Sequence, residues 1–123
     1  MTTSRIIDFR SQPPWRWTDD DPESVEGLPG YSRVYGAGYK KGHSYAALHA
    51  DMEKFGICAV LHSEPTRGEA HDWNDRVYQT MQRDPGRFPA GFCAADPRDI
   101  MGGMREIDRC YHELGLHGVS IVC

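Results

Sequence analysis

Along this chain the spacing of apolar residues switches between strand-like runs and helical spacing, and the switching predicts seven elements. Residues 5–9, RIIDF, are rich in Ile and Phe and alternate weakly, which suits a buried strand stopped by Pro13 and Pro14. Residues 13–43 follow neither period. Their Gly, Pro and consecutive Asp19, Asp20 and Asp21 make them one long loop, and a loop of this length inside a domain is usually functional or disordered. Trp15, Trp17, Tyr31, Tyr35 and Tyr39 argue that it docks, as a lid or an interface arm, rather than being disordered. Leu48, Met52 and Phe55 then recur at helical spacing, with Ser44 as N-cap and Gly56 as stop. ICAVLH, residues 57–62, is a short apolar strand. Residues 71–86 form a helix with Trp73, Val77 and Met81 on one face, halted near Pro85. FPAGFCAAD, residues 88–96, is the next strand, with its core at Ala90–Ala95. Asp96 caps a helix whose first position is Pro97, which turns Ile100, Met104, Ile107 and Tyr111 inward and ends near Gly115. GVSIVC, residues 118–123, is the last strand.

Strands alternating with helices imply a parallel sheet with right-handed crossovers. Strands that are apolar throughout imply cover on both faces. The whole of 1–123 reads as one domain, with 13–43 as an insertion after the first strand.

Composition narrows the classes. At 39% hydrophobic and 26% charged residues the chain is globular, and 123 residues suffice for a real core. A net charge of −4 without a basic stripe argues against nucleic acid as a partner. No apolar run approaches the roughly 18 residues that cross a membrane. The start, MTTSRIID, is not a secretion signal, so a cytoplasmic location is expected. The four cysteines, at 58, 93, 110 and 123, form no C-x-x-C pair and read as reduced thiols, with Cys58 and Cys93 packing as small apolar groups.

Four stretches together resemble a known family. These are IIDFRSQPP, MEKFGICAVLHS, NDRVYQTMQRDPGRFPAGFCAADPRD and REIDRCYHELGLHGVSIV. The third is the most specific: Asn-Asp, a helix, Asp-Pro-x-Arg-Phe, a Gly-Phe strand, then Asp-Pro-Arg-Asp. The pattern is similar to the amidohydrolase-2 branch of the amidohydrolase superfamily. The resemblance implies half of a TIM-type (β/α)8 barrel: about four parallel strands, three crossover helices and a long loop after strand one. It also implies hydrolase or non-oxidative decarboxylase chemistry at the C-terminal strand ends. In that family two histidines one residue apart follow strand one and hold a metal. Here those positions read Arg10 and Gln12.

This substitution shapes the candidate site. A guanidinium stays protonated and cannot ligate a metal, so Arg10, with Gln12, is a candidate anchor for a substrate carboxylate. The bland alternative is an Arg10 paired with Asp8 or a loop carboxylate. His62, at the end of the second strand, is the candidate catalytic base, against the alternative of a histidine making one structural hydrogen bond. His43, His49, His71, His112 and His117 are weaker, and no H-x-H or H-E-x-x-H pair occurs. No metal or other cofactor is therefore expected in this chain, and zinc only if a partner supplies ligands. Asp96 is a cap before it is a site residue, and Cys123 a chain end before a thiol at a rim.

Four parallel strands leave two open edges, which invite association. The expected partner is a second polypeptide completing the barrel, or another copy of the chain, acting with it on a small cyclic or aromatic carboxylated substrate. A different class of reading is a catalytically silent half-barrel that binds a partner or ligand.

Overall fold

The computed structural model describes residues 6–13, 45–65 and 69–121. Two compact units emerge, one built from residues 1–13 and 56–123, the other from 14–55. The described part of the second is helix α1 (Tyr45–Phe55), in which Met52 is buried and Phe55 exposed. The expected cap Ser44, the aromatic loop, His43 and Asp19–Asp21 lie outside the described residues. Just after α1, Gly56 adopts φ +64°, the left-handed conformation that a glycine allows at a helix end.

The first unit holds a four-stranded sheet in the order β1 (Ile6–Ser11), β2 (Ile57–His62), β3 (Ala90–Ala94) and β4 (Gly118–Ser120). All three pairings are parallel, as the alternation of elements implies. Helix α2 (Ala70–Arg83) connects β2 to β3, and α3 (Ile100–His112) connects β3 to β4. The core lies between the sheet and these helices, around Leu61, Trp73, Val77, Phe88, Cys93 and Leu116. At Gly91 the strand runs so close to α2 that a Cβ would stand 2.5 Å from Val77 Cγ1.

Three expectations need correction. Residues 5–9 were to be a buried strand, but among the described residues β1 pairs only with β2 and lies exposed along most of its length, Phe9 by 63%. Asp96 does not cap α3. Arg98 takes its carboxylate through the backbone N–H and the guanidinium, each at 2.9 Å. The cap is Asp99, which accepts from Gly102 N at 2.9 Å while its carbonyl takes Gly103 N–H.

The third correction concerns the face of α3. Ile100, Met104 and Tyr111 are 70%, 61% and 67% exposed and only Ile107 of the expected four is half-buried, whereas Gly103 and Cys110 are buried. The cause is local. Gly103 lets the helix backbone approach the Asp96 carbonyl, where a Cβ would sit at 3.1 Å. One turn on, the same face presents Glu106 to a polar cluster. Glu106 receives Arg109 Nη2 at 2.7 Å and Asn74 Nδ2 at 2.8 Å, and lies 3.2 Å from His71 Nδ1. Arg109 also reaches Asp75 at 2.8 Å. Burial raises the Glu106 carboxyl, but the hydrogen bonds from Arg109, Asn74 and His71 outweigh it and hold the group at about 2. Asn74 further pairs with the backbone of Ala94, accepting its N–H at 2.7 Å and donating to its carbonyl at 3.0 Å.

Candidate functional site

In parallel strands the C-terminal ends lie side by side, so the exits of β1 and β2 are neighbours. The register between them is irregular. Asp8 pairs with Ala59 and Ser11 with Leu61, so β1 takes three steps where β2 takes two. Such a bulge bends the strand and redirects its side chains. Within it Arg10 N donates to Asp8 Oδ1 at 3.0 Å, and the Phe9 carbonyl receives His62.

Two small clusters result. In the first, Arg10 donates from Nε at 2.9 Å and from Nη2 at 2.6 Å to Glu64 Oε1. Gln12 Nε2 donates to the other oxygen, Glu64 Oε2, at 2.8 Å. One carboxylate is thus gripped by three N–H groups from the two positions that the sequence singled out. The Glu64 side chain is largely buried, whereas that of Arg10 is 72% exposed, so solvent screens the attraction between the charges. The carboxylate partner expected for Arg10 among its alternatives is real, but it is Glu64, while Asp8 accepts only from the Arg10 backbone.

In the second cluster His62 Nε2 lies 2.8 Å from the Phe9 carbonyl, and Nδ1 lies 3.4 Å from Ser120 Oγ. A carbonyl only accepts, so Nε2 carries a hydrogen. In the neutral imidazole Nδ1 is then the lone-pair nitrogen, facing a hydroxyl that can donate. The His62 ring is held in place by Phe92, at 4.8 Å between centroids, and by Phe9 at 6.0 Å. Chemically the site offers a cation with one face open to solvent, an amide, a carboxylate, and an imidazole of fixed orientation.

The remaining candidates go elsewhere. His71 joins the Glu106 cluster, His112 sits beside Asp108, and His117 Nδ1 accepts from Gly91 N. Cys123 lies outside the described residues. Glu64, Ser120 and the Phe9 carbonyl escaped the sequence reading. For Glu64 a signal existed: an acidic residue two places past His62, at the exit of the strand next to Arg10. Ser120 could be placed only once β4 was known to bring it towards His62.

The donor set does not fit a metal. Arg10 has no lone pair to give, and His62 offers one nitrogen at most. Among the described residues no three His, Cys, Asp or Glu side chains gather as ligands. Nor, among them, is any helix long and apolar enough to cross a membrane.

Similarity to known proteins is structural. A 2,6-dihydroxybenzoate decarboxylase from Rhizobium superposes with a TM-score of 0.61 at 21% identity, over 95% of this chain and 38% of that one. The structure of 2,6-dihydroxybenzoate decarboxylase complexed with 2,6-dihydroxybenzoate superposes with a TM-score of 0.55 at 20% identity, over 97% and 38%. The likeness is one of fold. Among the described residues, four parallel strands and three helices have the fold of half a TIM-type barrel. It spans about 38% of the length of the solved chains it matches. No protein-family model and no curated protein sequence matches it.

Proposed function

We propose that this chain is one part of an amidohydrolase-like barrel acting on a small cyclic or aromatic carboxylate, by hydrolysis or non-oxidative decarboxylation. The observation that carries the reading is the convergence of Arg10 and Gln12 on a carboxylate at the strand exits, with His62 on the neighbouring exit. Active sites of such barrels lie at this end of the sheet. Arg10 anchors the substrate carboxylate on its solvent-facing side. Glu64 holds the guanidinium in position, and His62 moves the proton through Nδ1.

The barrel is completed by further strands, from a second polypeptide or from a second copy. β1 and β4 are the outer strands of the described sheet, and Ile6, Ile7, Phe9, Val119 and Ile121 are exposed on or beside them. Such edges associate unless covered. A second reading, a catalytically silent binding subunit, is favoured by one observation: Glu64 and the Phe9 carbonyl already occupy donors of Arg10, Gln12 and His62.

The test uses the native assembly, with its mass measured first, and 2,6-dihydroxybenzoate as probe, followed by calorimetric titration and by carbon dioxide release. We expect binding that weakens at least about tenfold in Arg10→Ala, the loss of a charged hydrogen bond, and turnover abolished in His62→Asn. Binding without turnover favours the silent subunit. Equal binding by the parent and Arg10→Ala rejects the anchoring role.

A further inference from the structure

We propose that Ser120 is a nucleophile activated by His62, and that the pair cleaves small aryl esters of carboxylic acids through an acyl-serine. The inference goes beyond the function proposed above. It shares His62 with that site but needs neither Arg10 nor a carboxylate substrate.

Three strands bring the parts to one face of the sheet. Successive side chains along a strand point to opposite faces. A Cβ at Gly91 would meet Val77 and Met81 of α2, so Gly91 faces that helix and Phe92 faces away from it. His62 is the register partner of Phe92. On the other side of β3, Gly118 is also paired with Phe92, and a Cβ there would stand 3.2 Å from the Phe92 ring. Gly118, and Ser120 two residues on, therefore share the face of Phe92 and His62.

A serine hydroxyl is a weak nucleophile until a base takes its proton, and the base needs a third group to orient it. His62 meets both conditions. Nε2 gives its hydrogen to the Phe9 carbonyl at 2.8 Å, which leaves the Nδ1 lone pair facing Ser120 Oγ at 3.4 Å. The rings of Phe9 and Phe92 hold the imidazole against rotation. The contact to Oγ is long, as catalytic hydrogen bonds often are before a substrate tightens them.

The surroundings select the ester. Phe9 stands edge-to-face with Phe92 at 5.9 Å and is 63% exposed, so an aromatic surface beside the pair is open to solvent. An aryl group can stack there at a centroid spacing of about 4.5–7 Å. Ser120 itself is half-buried rather than enclosed.

The steps balance. Ser120 Oγ attacks the ester carbonyl carbon as its proton passes to His62 Nδ1. The bond to the aryl oxygen breaks with its electron pair, and the imidazolium protonates the departing phenolate. Water then attacks the acyl carbon and loses a proton to Nδ1. The bond from carbon to Oγ breaks, and Oγ takes that proton back. One ester and one water give one carboxylic acid and one phenol.

Ser11 is an internal control. It is half-buried like Ser120, at the exit of β1, and no histidine hydrogen-bonds its side chain among the described residues. The native assembly is mixed with p-nitrophenyl acetate, early release of p-nitrophenolate is followed, and the acetylated peptide is located by mass. We expect a burst stoichiometric with the chain, with the acetyl group on Ser120 and none on Ser11. Ser120→Ala and His62→Asn, each checked by circular dichroism, should acylate at least about a hundredfold more slowly, the scale of general-base catalysis. Ser120→Cys should restore the burst as a thioester. An acetyl group on another residue instead, an equal burst in Ser120→Ala or His62→Asn, or native acylation no faster than that of the urea-unfolded chain overturns the proposal. The assay contains no carboxylate ligand and reads no carbon dioxide. Its failure leaves the anchoring role of Arg10 standing, and failure of 2,6-dihydroxybenzoate to bind leaves the acyl-serine standing.

Discussion

Replacing Glu106 by Gln preserves the shape of the side chain and removes the charge at the centre of the cluster joining α2 to α3. The carboxylate accepts Arg109 at 2.7 and 3.0 Å and Asn74 at 2.8 Å. Its folded value of about 2 lies below an ordinary 4.5. Because that value is depressed, the associated stability is fully present above the unfolded pKa and drains away as the pH falls towards 2. A fall of about 2.5, at about 1.36 kcal/mol for each, is worth about 3 kcal/mol at neutral pH. Arg109 keeps a fifth of its side chain in solvent, so the measured figure should lie nearer about 2 kcal/mol. The assay is urea unfolding of parent and Glu106→Gln at one protein concentration, at pH 7 and pH 3. The parent should lead by about 2–3 kcal/mol at pH 7, and more than half of that lead should vanish by pH 3, where the unfolded chain's Glu106 takes up a proton while the folded one stays largely ionised. A gap of equal size at both pH values would refute the electrostatic account and leave packing as the cause. No gap at pH 7 would refute the cluster's contribution altogether.

Gly91→Ala would place a methyl group 2.5 Å from Val77 Cγ1 and 2.7 Å from Met81 Sδ. The overpacking should cost about 1–3 kcal/mol, read as a lowered thermal midpoint, and an unchanged midpoint would show that α2 yields freely. Asp99→Ala should cost about 1 kcal/mol by uncapping α3. Asp96→Ala should leave the helix signal intact, and the reverse ranking would restore Asp96 as the cap. Elemental analysis of protein purified without chelators should find well under one zinc per chain, and a stoichiometric, chelator-resistant zinc would contradict the donor-set argument.

The strands and the parallel order were legible because apolar runs punctuated by Gly and Pro are local signals, and ICAVLH appears as β2 with the bounds expected. The orientation of α3 was not, and the reason is specific. Ile100, Met104 and Tyr111 form the more apolar stripe, so periodicity selects them for the core. The helix instead seats itself through Gly103, which has no side chain to register in such a pattern, and through Glu106 and Arg109, which register as surface. Arg10, Gln12 and His62 could be named from strand ends alone. Their partners Glu64, Phe9 and Ser120 depend on which strands adjoin and on a bulge that shifts the register by one, and neither is written in a single strand's sequence.

Asn74 behaves as a strand of one residue. Its amide meets the peptide group of Ala94 donor to acceptor and acceptor to donor, the same exchange a neighbouring β-strand would make. Position 74 therefore carries a two-sided demand that few side chains meet. Aspartate offers acceptors but no donor, leucine offers neither, and glutamine places the same group one methylene too far. Random replacement should thus be rejected at this interior position even when volume is preserved. The outward stripe of α3, far more apolar, is free of hydrogen-bonding demands on its side chains. In a mutational scan the sharpest intolerance inside this helix layer should fall on an amide rather than on a hydrocarbon.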